Sequence, residues 1–431
     1  MTTTQHEPVP EVAADAASGG PDLVVMKFGG SSVADTQKIT EVARRLVLAR
    51  EKGRRVVGVL SAMGDTTDEL IRLAHEISPR PQAREYDMLI SVGERISNAL
   101  CAMAVHDLGH EAISLTGSQA GIVTDTAHGK AKIAEVRATR INDALDAGKI
   151  VLVAGFQGVS ADSHDVTTLG RGGTDLTAVA LAAALGGDCE IFTDVEGVFT
   201  ADPRIIGDAL KLKTVSYEEM LEMAATGARV MMARSIEIAR RYRVPLHVRS
   251  SFGDIEGTWI AEEGELVLEK AIVSGVTHDV SEAKATIVSV PDSPGVAARV
   301  FRALADAGVN IDMIVQNVSA KGRTDISFTL PKSDRAVAEP ILDHLAAEIG
   351  ATSIDIDDGI AKVSLVGAGM KSHPGVAADM FEALAQAGIN IELISTSSIR
   401  VSCVVRATEV EAAVRAVHDR FRIYAEERVD A

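Results

Sequence analysis

Residues 294–314 read PGVAARVFRALADAGVNIDMI, and residues 374–394 read PGVAADMFEALAQAGINIELI. The offset is 80 residues, and 14 of the 21 positions are identical. A repeat of that length marks two copies of one module. In each copy a strand pattern (ATIVSV, 285–290; KVSLVG, 362–367) leads to a Pro-Gly turn, a helix and a second strand. In the first copy Val296, Val300, Phe301 and Leu304 share one helical face, and Gly308 is placed to end the helix. Further strand and helix patterns follow (RTDISFTL, 323–330; AVAEPILDHLAAEI, 336–349). The expected order is β-α-β-β-α-β, the ferredoxin-like motif. The spacing predicts one module over 276–350 and a second over 351–431.

Working back from the repeat, residues 23–275 have another rhythm. Short, continuously apolar strands (LVVMKF, 23–28; RRVVGVL, 54–60; KIVLVAGF, 149–156; CEIFTDVEGVF, 189–199) alternate with helices. Helices are expected to about Arg50, over Thr66–Ile77, and as one long helix from Glu85 to Leu108. Such strands imply an α/β sandwich: a mainly parallel sheet covered on both faces. Residues 1–22 are polar and rich in Pro, Gly and Ala, and are expected to form a disordered tail.

The whole chain has 431 residues. Lys and Arg total 43 against 61 Asp and Glu, a formal charge of −18, which argues against nucleic-acid and anionic-membrane partners. Aromatic residues are 3% of a 46% apolar composition, so the cores are aliphatic. Cys101, Cys189 and Cys403 lie far apart with no CxxC pairing and read as buried thiols of a reducing cytoplasm. Cys101 and Met103 are assigned to the core. No apolar run reaches the ~18 residues that span a bilayer, and the N-terminus lacks a secretory pattern.

The chemistry sits in glycine-rich turns between strand and helix. Neither GxxxxGK[ST] nor a dinucleotide GxGxxG pattern is present. KFGGSS (27–32) adds Lys27 to one such turn, and GRGGTD (170–175) adds Arg171 to another. A helix N-terminus with a lysine suits phosphate, and the arginine fork suits a carboxylate. Each feature has a plainer reading. Gly-Gly after a strand is often only a turn. Arg171 could form a surface ion pair, Glu94 could pair with Arg95, and Thr66 with Glu69 fits a capping box. Asp194 and Asp202 suit turns, and Arg44–Arg45 and Arg240–Arg241 suit solvated faces. The eleven histidines form no zinc pattern, so no protein-built metal site is expected.

Taken in order, KFGGSSV, SAMGDTTDEL, GERISNAL, FQGV, TTLGRGGTD, FTDVEGVFTADPR and the paired PGVAA…NI segments resemble the aspartate kinases. The likeness is to the actinobacterial, lysine- and threonine-regulated type, and covers roughly residues 23–425. It implies an amino-acid-kinase fold followed by two ACT modules. It implies transfer of the γ-phosphoryl of ATP to the side-chain carboxylate of L-aspartate, with Mg²⁺ carried mainly by the nucleotide phosphates.

By matching motifs, Lys27, Arg171 and Asp175 would be catalytic. Ser61, Thr67, Glu94 and Arg171 would bind aspartate. Lys27, Gly29, Gly30, Ser31, Gly172, Gly173, Thr193, Asp194, Phe199, Asp202, Arg204 and Arg229 would hold the nucleotide. Asp292, Gly295, Asn310, Gln316, Asn317, Ser395 and Thr396 would line an effector site for threonine or lysine, with NID and NIE offering oxygens to an ammonium group.

The sequence departs from the family at Thr174 (commonly Ser), Phe199 (commonly Tyr), Arg229 (often Lys) and Ser398 (commonly Glu). The last predicts a weakened lysine response. The resemblance further implies a cytoplasmic homo-oligomer through ACT pairing, or a hetero-oligomer with an internally started regulatory subunit. Two alternatives stand beside it: another carboxylate kinase of the same fold, or an inactive amino-acid sensor.

Overall fold

The computed structural model describes residues 22–262, 272–316 and 322–426. All of the expected tail except Asp22, and also Asn317, lie outside the described residues.

The N-terminal part contains β1 (Leu23–Phe28), α1 (Thr36–Glu51), β2 (Arg55–Leu60), α2 (Thr66–Ile77), α3 (Ala83–Ile90) and α4 (Val92–Asp107). It continues through β3 (Ala112–Leu115), β4 (Ile122–Thr124), β5 (Ile133–Val136), α5 (Thr139–Asp146), β6 (Ile150–Ala154), β7 (Gln157–Ser160) and β8 (Val166–Thr168). It ends with α6 (Gly173–Leu185), β9 (Asp188–Thr193), β10 (Thr214–Ser216), α7 (Tyr217–Ala225), α8 (Ala233–Tyr242), β11 (Leu246–Ser250) and β12 (Thr258–Ala261).

Eight strands form one sheet in the order β10-β12-β11-β9-β1-β2-β6-β3. Every neighbouring pair is parallel except β11 with β12. Alternation along β1 explains the two cores. Val24, Met26 and Phe28 face α1 and α4, while Leu23 and Val25 face the layer containing α5, α6, α7 and α8. A small second sheet, β5-β4-β7-β8, leads into α6. The strand ends of β1 and β2 and the start of α6 therefore meet at one edge of the sandwich.

Three local expectations change. The long helix divides at Ser91, whose carbonyl accepts Gln157 Nε2 at 2.8 Å. Thr66 is the first residue inside α2 and donates to the Met63 carbonyl, so no capping box forms there. One forms at Ser216–Glu219 instead. Cys101 is buried, but Met103 is 64% exposed, on the outer face of α4. The run Ala83–Asp107 is long and apolar enough by composition to cross a bilayer; half of its most apolar 18 residues are buried within the fold.

The C-terminal part contains β13 (Gly275–Asp279), β14 (Glu282–Pro291), α9 (Val296–Asp306), β15 (Ile314–Gln316), β16 (Arg323–Pro331), α10 (Arg335–Ile349) and β17 (Ser353–Asp357). Then come β18 (Ile360–Val366), α11 (Val376–Gln386), β19 (Leu393–Thr396), β20 (Arg400–Arg406) and α12 (Val410–Glu426). The first module completes β-α-β-β-α-β with sheet order β15-β16-β14-β17. In the second sheet, β13-β18-β20-β19, the fourth strand comes from upstream of the first module. Cuts at 275 and 350 would make each module continuous. The pairing instead threads the first module between β13 and β18, because β13 fills the open edge of β18.

Candidate active site

β1 delivers Lys27 to the sheet end with its side chain on the α6 side. Lys27 Nζ lies 2.8 Å from Asp175 Oδ1 in the first turn of α6, with both side chains about nine-tenths buried. Asp175 Oδ1 has no hydrogen-bond partner among the described residues, so the contact is a charge pair. After the strand, a Cβ on Gly29 would stand 3.3 Å from Lys27 Nζ, and one on Gly30 would press the Ala62 and Gly64 carbonyls at 3.2 and 3.3 Å. Side chains there would fill the space beside the ammonium. Ser31 is exposed at this turn, and the neighbouring Ser32 bonds Ser251 Oγ at 2.5 Å.

Arg171 stands exposed between Gly170 (φ 82°) and Gly172 (φ 74°), left-handed positions that favour glycine. No acidic partner meets it among the described residues, so the surface-ion-pair reading does not apply in this conformation. A Cβ on Gly173 would fall within 2.9 Å of Leu169 and 3.0 Å of Phe156. The loop is held from behind: Arg234 donates to the Leu169 and Ala131 carbonyls at 3.0 and 3.1 Å.

Glu94 opens α4 and is 3% exposed. Burial raises its pKa to about 7, against the opposing pull of backbone N–H groups and Arg95. Its Oε2 has no partner among the described residues. Arg95 turns away, donating to Gln157 Oε1 at 3.1 Å, so the expected alternative of a Glu94–Arg95 pair is not realised. Contacts tie Glu94's helix to the start of α6. Ser97 Oγ donates to the Ser61 carbonyl at 2.6 Å, and Ser61 Oγ donates to Thr174 Oγ1 at 3.0 Å. Gly93 allows this closeness, since its Cβ would come within 2.6 Å of Ala62 Cβ. Thr67 is half-buried at the start of α2.

A cavity of about 520 Å³ opens beyond β9, and its lining includes Asp194, Phe199, Asp202, Arg204 and Arg229. Thr193, the last residue of β9, is outside that lining and donates to Asp194 Oδ1 at 3.1 Å. Arg204 pairs with Asp202 at 2.7 Å and holds that carboxyl below its ordinary range. Part of the wall is β13, through Val276, Thr277 and His278. Behind that wall, buried Glu219 accepts from Ser216, Ser274 and the Ala368 N–H, joining α7 to the second module. A separate groove of about 580 Å³ beside α1 has its arginines engaged, Arg45 with Asp254 at 3.1 Å and Arg54 with Asp188 at 3.0 Å.

In the modules, Gly295 caps α9 with φ 94°, and Asp292 donates its N–H to Gly322. Asn310 and Gln316 are exposed around β15, and Ser395 and Thr396 lie on β19 opposite Ser402 and Val401. The NID and NIE carboxylates differ from expectation. Asp312 is held by Lys362 at 2.5 Å, and Glu392 is paired with Lys284. Each lysine is the third residue of its module's first strand, and each reaches the other module.

Sequence reading missed Asp87, Arg234 and Glu219. Asp87 carried a signal, a lone carboxylate in the apolar run YDMLIS, as Glu94 did. Its partners are 41 and 81 residues away and left none.

The amino acid kinase family model matches residues 22–250, and ACT domain models match 284–350 and 363–421. The chain is 59% identical over 403 residues to an aspartokinase of Mycolicibacterium smegmatis, covering 93% of this chain and 96% of that one. Escherichia coli aspartokinase III in complex with aspartate and ADP (R-state) superposes with a TM-score of 0.81 at 25% identity, covering 93% of this chain and 100% of that one. Its complex with lysine and aspartate (T-state) gives 0.72 at the same identity and coverage.

Proposed function

The chain belongs to the aspartokinase family, and from that premise we propose how its residues divide the work. The enzyme transfers the γ-phosphoryl group of ATP to the side-chain carboxylate of L-aspartate, giving 4-phospho-L-aspartate. The attacking carboxylate is already ionised at neutral pH, so no strong base is needed. The barrier is the approach of two anions and the charge spread on the transferring group. Fixed cations and positioning lower it.

In this reading Lys27 meets the transferring phosphoryl group, and Asp175 holds the ammonium in place. Gly29, Gly30, Ser31 and Gly172 present backbone N–H groups to the phosphates, while Gly173, whose N–H is donated to the Gly170 carbonyl at 2.9 Å, gives the nucleotide room by lacking a side chain. Arg171 takes the α-carboxylate of aspartate, and Glu94 takes its ammonium, with Ser61 and Thr67 closing the pocket. Thr193, Asp194, Phe199, Asp202, Arg204 and Arg229 surround the nucleotide. No group of three His, Cys, Asp or Glu side chains that could hold a metal converges among the described residues. Asp175, the acid nearest Lys27, is engaged by it. In this reading Mg²⁺ arrives on the ATP phosphates and keeps much of its water, because magnesium dehydrates reluctantly.

The observation that carries the assignment is Glu94: a buried carboxylate with a partnerless oxygen, on a helix joined through Ser97 and Ser61 to the start of α6. A hydroxamate assay with ATP, Mg²⁺ and aspartate tests it. We expect aspartate-dependent product, and a strong loss for Glu94→Gln. Preference for another carboxylate would reject the substrate assignment.

The ACT modules give amino-acid feedback in this reading, with threonine the stronger effector because Ser398 leaves no carboxylate for a lysine side chain. Strong inhibition by lysine alone would reject that. ACT pairing makes the working form an oligomer, of identical chains or with a separate regulatory chain, in the cytoplasm.

A further inference from the structure

We propose that Asp87 is a positioning residue for the amino-acid substrate. It sets the distance between Glu94 and Arg171, and the inference rests on the roles given to those two residues above.

Asp87 lies on α3 with no exposed surface. Its carboxylate accepts His128 Nδ1 at 2.8 Å, Gly129 N at 3.0 Å, Thr168 N at 3.0 Å and Thr168 Oγ1 at 2.6 Å. A carboxylate saturated by donors in a dry interior is a strong and directional joint. The donors are not scattered. Thr168 ends β8, three residues before Arg171. Gly129 packs under the same loop, its carbonyl 3.2 Å from where a Cβ on Gly170 would stand.

On the other side, Asp87 is seven residues before Glu94, about two helical turns. The break at Ser91 between them is itself clamped, by Gln157 Nε2 on the Ser91 carbonyl at 2.8 Å. Gln157 faces Thr168 across the β7–β8 pair. Two bonds from Thr168 to Asp87 and one from Gln157 to Ser91 therefore fasten one helical run to the paired β7 and β8. That run carries the group assigned to the ammonium, and the end of β8 leads to the group assigned to the α-carboxylate. The ammonium and α-carboxylate of an amino acid share one carbon and stand at a nearly fixed spacing, so the groups that receive them are needed at one separation. An error of about 1 Å in such a site lowers turnover by up to roughly a hundredfold.

The test is steady-state kinetics on the full chain with Asp87→Asn and Thr168→Val, beside Glu94→Gln and Arg171→Ala as controls. We expect Asp87→Asn to raise the KM for aspartate roughly tenfold while the KM for ATP stays within about twofold, and Thr168→Val to act in the same direction by roughly threefold. In a Glu94→Gln background, Asp87→Asn should raise the aspartate KM by less than about threefold, because one end of the ruler is already gone. If Asp87→Asn does not fold, Thr168→Val carries the test.

Unchanged aspartate KM values in both variants, while the two controls impair aspartate use, would overturn this inference alone. So would a rise of both KM values in step with a fall in melting temperature, which marks general loosening. Controls that turn over aspartate normally would overturn the underlying assignment and this inference with it.

Discussion

The two halves of the molecule treat charge in opposite ways. In the catalytic half, Glu94 is buried with a partnerless oxygen and Arg171 meets no acid among the described residues. In the regulatory half, the comparable groups are spent on one another: Lys362 with Glu282 and Asp312, Lys284 with Glu392, Arg406 with Asp357 and Glu392. A buried charge without a partner is expensive, and a fold that keeps one keeps it for a ligand. A buried charge with a partner can be architecture, as at Lys362 between Glu282 and Asp312, or part of a site, as at Lys27 with Asp175. What separates the two regions is a whole acid–base pair spent across the modules against a Glu94 and an Arg171 left without one.

That comparison can be broken at four points. The largest effect is expected at Lys362. Its side chain is 1% exposed, and burial disfavours its ammonium, but Glu282 and Asp312 outweigh this and hold the pKa above its ordinary value. Lys362→Met leaves two acids facing each other and should lower folding stability by about 3–5 kcal/mol, measured by urea unfolding. A loss under about 1 kcal/mol would show that the modules do not depend on this joint.

Next is Arg171→Ala. It should reduce kcat/KM for aspartate at least about a hundredfold, roughly 3 kcal/mol, with the urea midpoint unchanged because no internal contact is lost. Near-normal turnover would remove Arg171 from the pocket.

The third test is pH. Glu94, raised to about 7, must lose its proton to receive an ammonium group. The KM for aspartate should therefore rise as pH falls below about 7, approaching tenfold per unit, and Glu94→Gln should flatten that slope. For folding the sign is opposite. A carboxyl raised in the native state stabilises below its unfolded value, and the contribution is lost as pH rises through about 7.

The smallest effect is expected at Lys284, the counterpart of Lys362. Its side chain is 19% exposed. Lys284→Met should weaken folding by about 1 kcal/mol, by the same urea measurement. Equal losses at the two lysines would mean that burial does not set the difference.

Much of the catalytic half was legible because its signals are local. KFGGSS and GRGGTD each place a charge within a few residues of the glycines that make room for it, and the chain could not hide that. Glu94 was legible as an acid in an apolar helix, although Arg95 beside it suggested a pair that the structure does not form. Asp87 offered a similar signal and was passed over, because its meaning lies in Thr168. The capping box was expected at Thr66 and occurs at Ser216, where a strand ends directly on the helix.

By itself, the sequence determined the strand and helix periods, the duplicated module and the glycine turns that carry Lys27 and Arg171. These depend on neighbours along the chain, where steric and hydrogen-bond preferences act over a few residues. Only the tertiary structure decided that β13 completes the second module's sheet, that the NID and NIE acids are neutralised across modules, and that Asp87 fastens α3, the helix leading into Glu94's, to β8, the strand leading to Arg171. Those choices are made by free sheet edges and buried charges finding partners many tens of residues away. The energy of such a contact belongs to the pair and is written in neither segment alone.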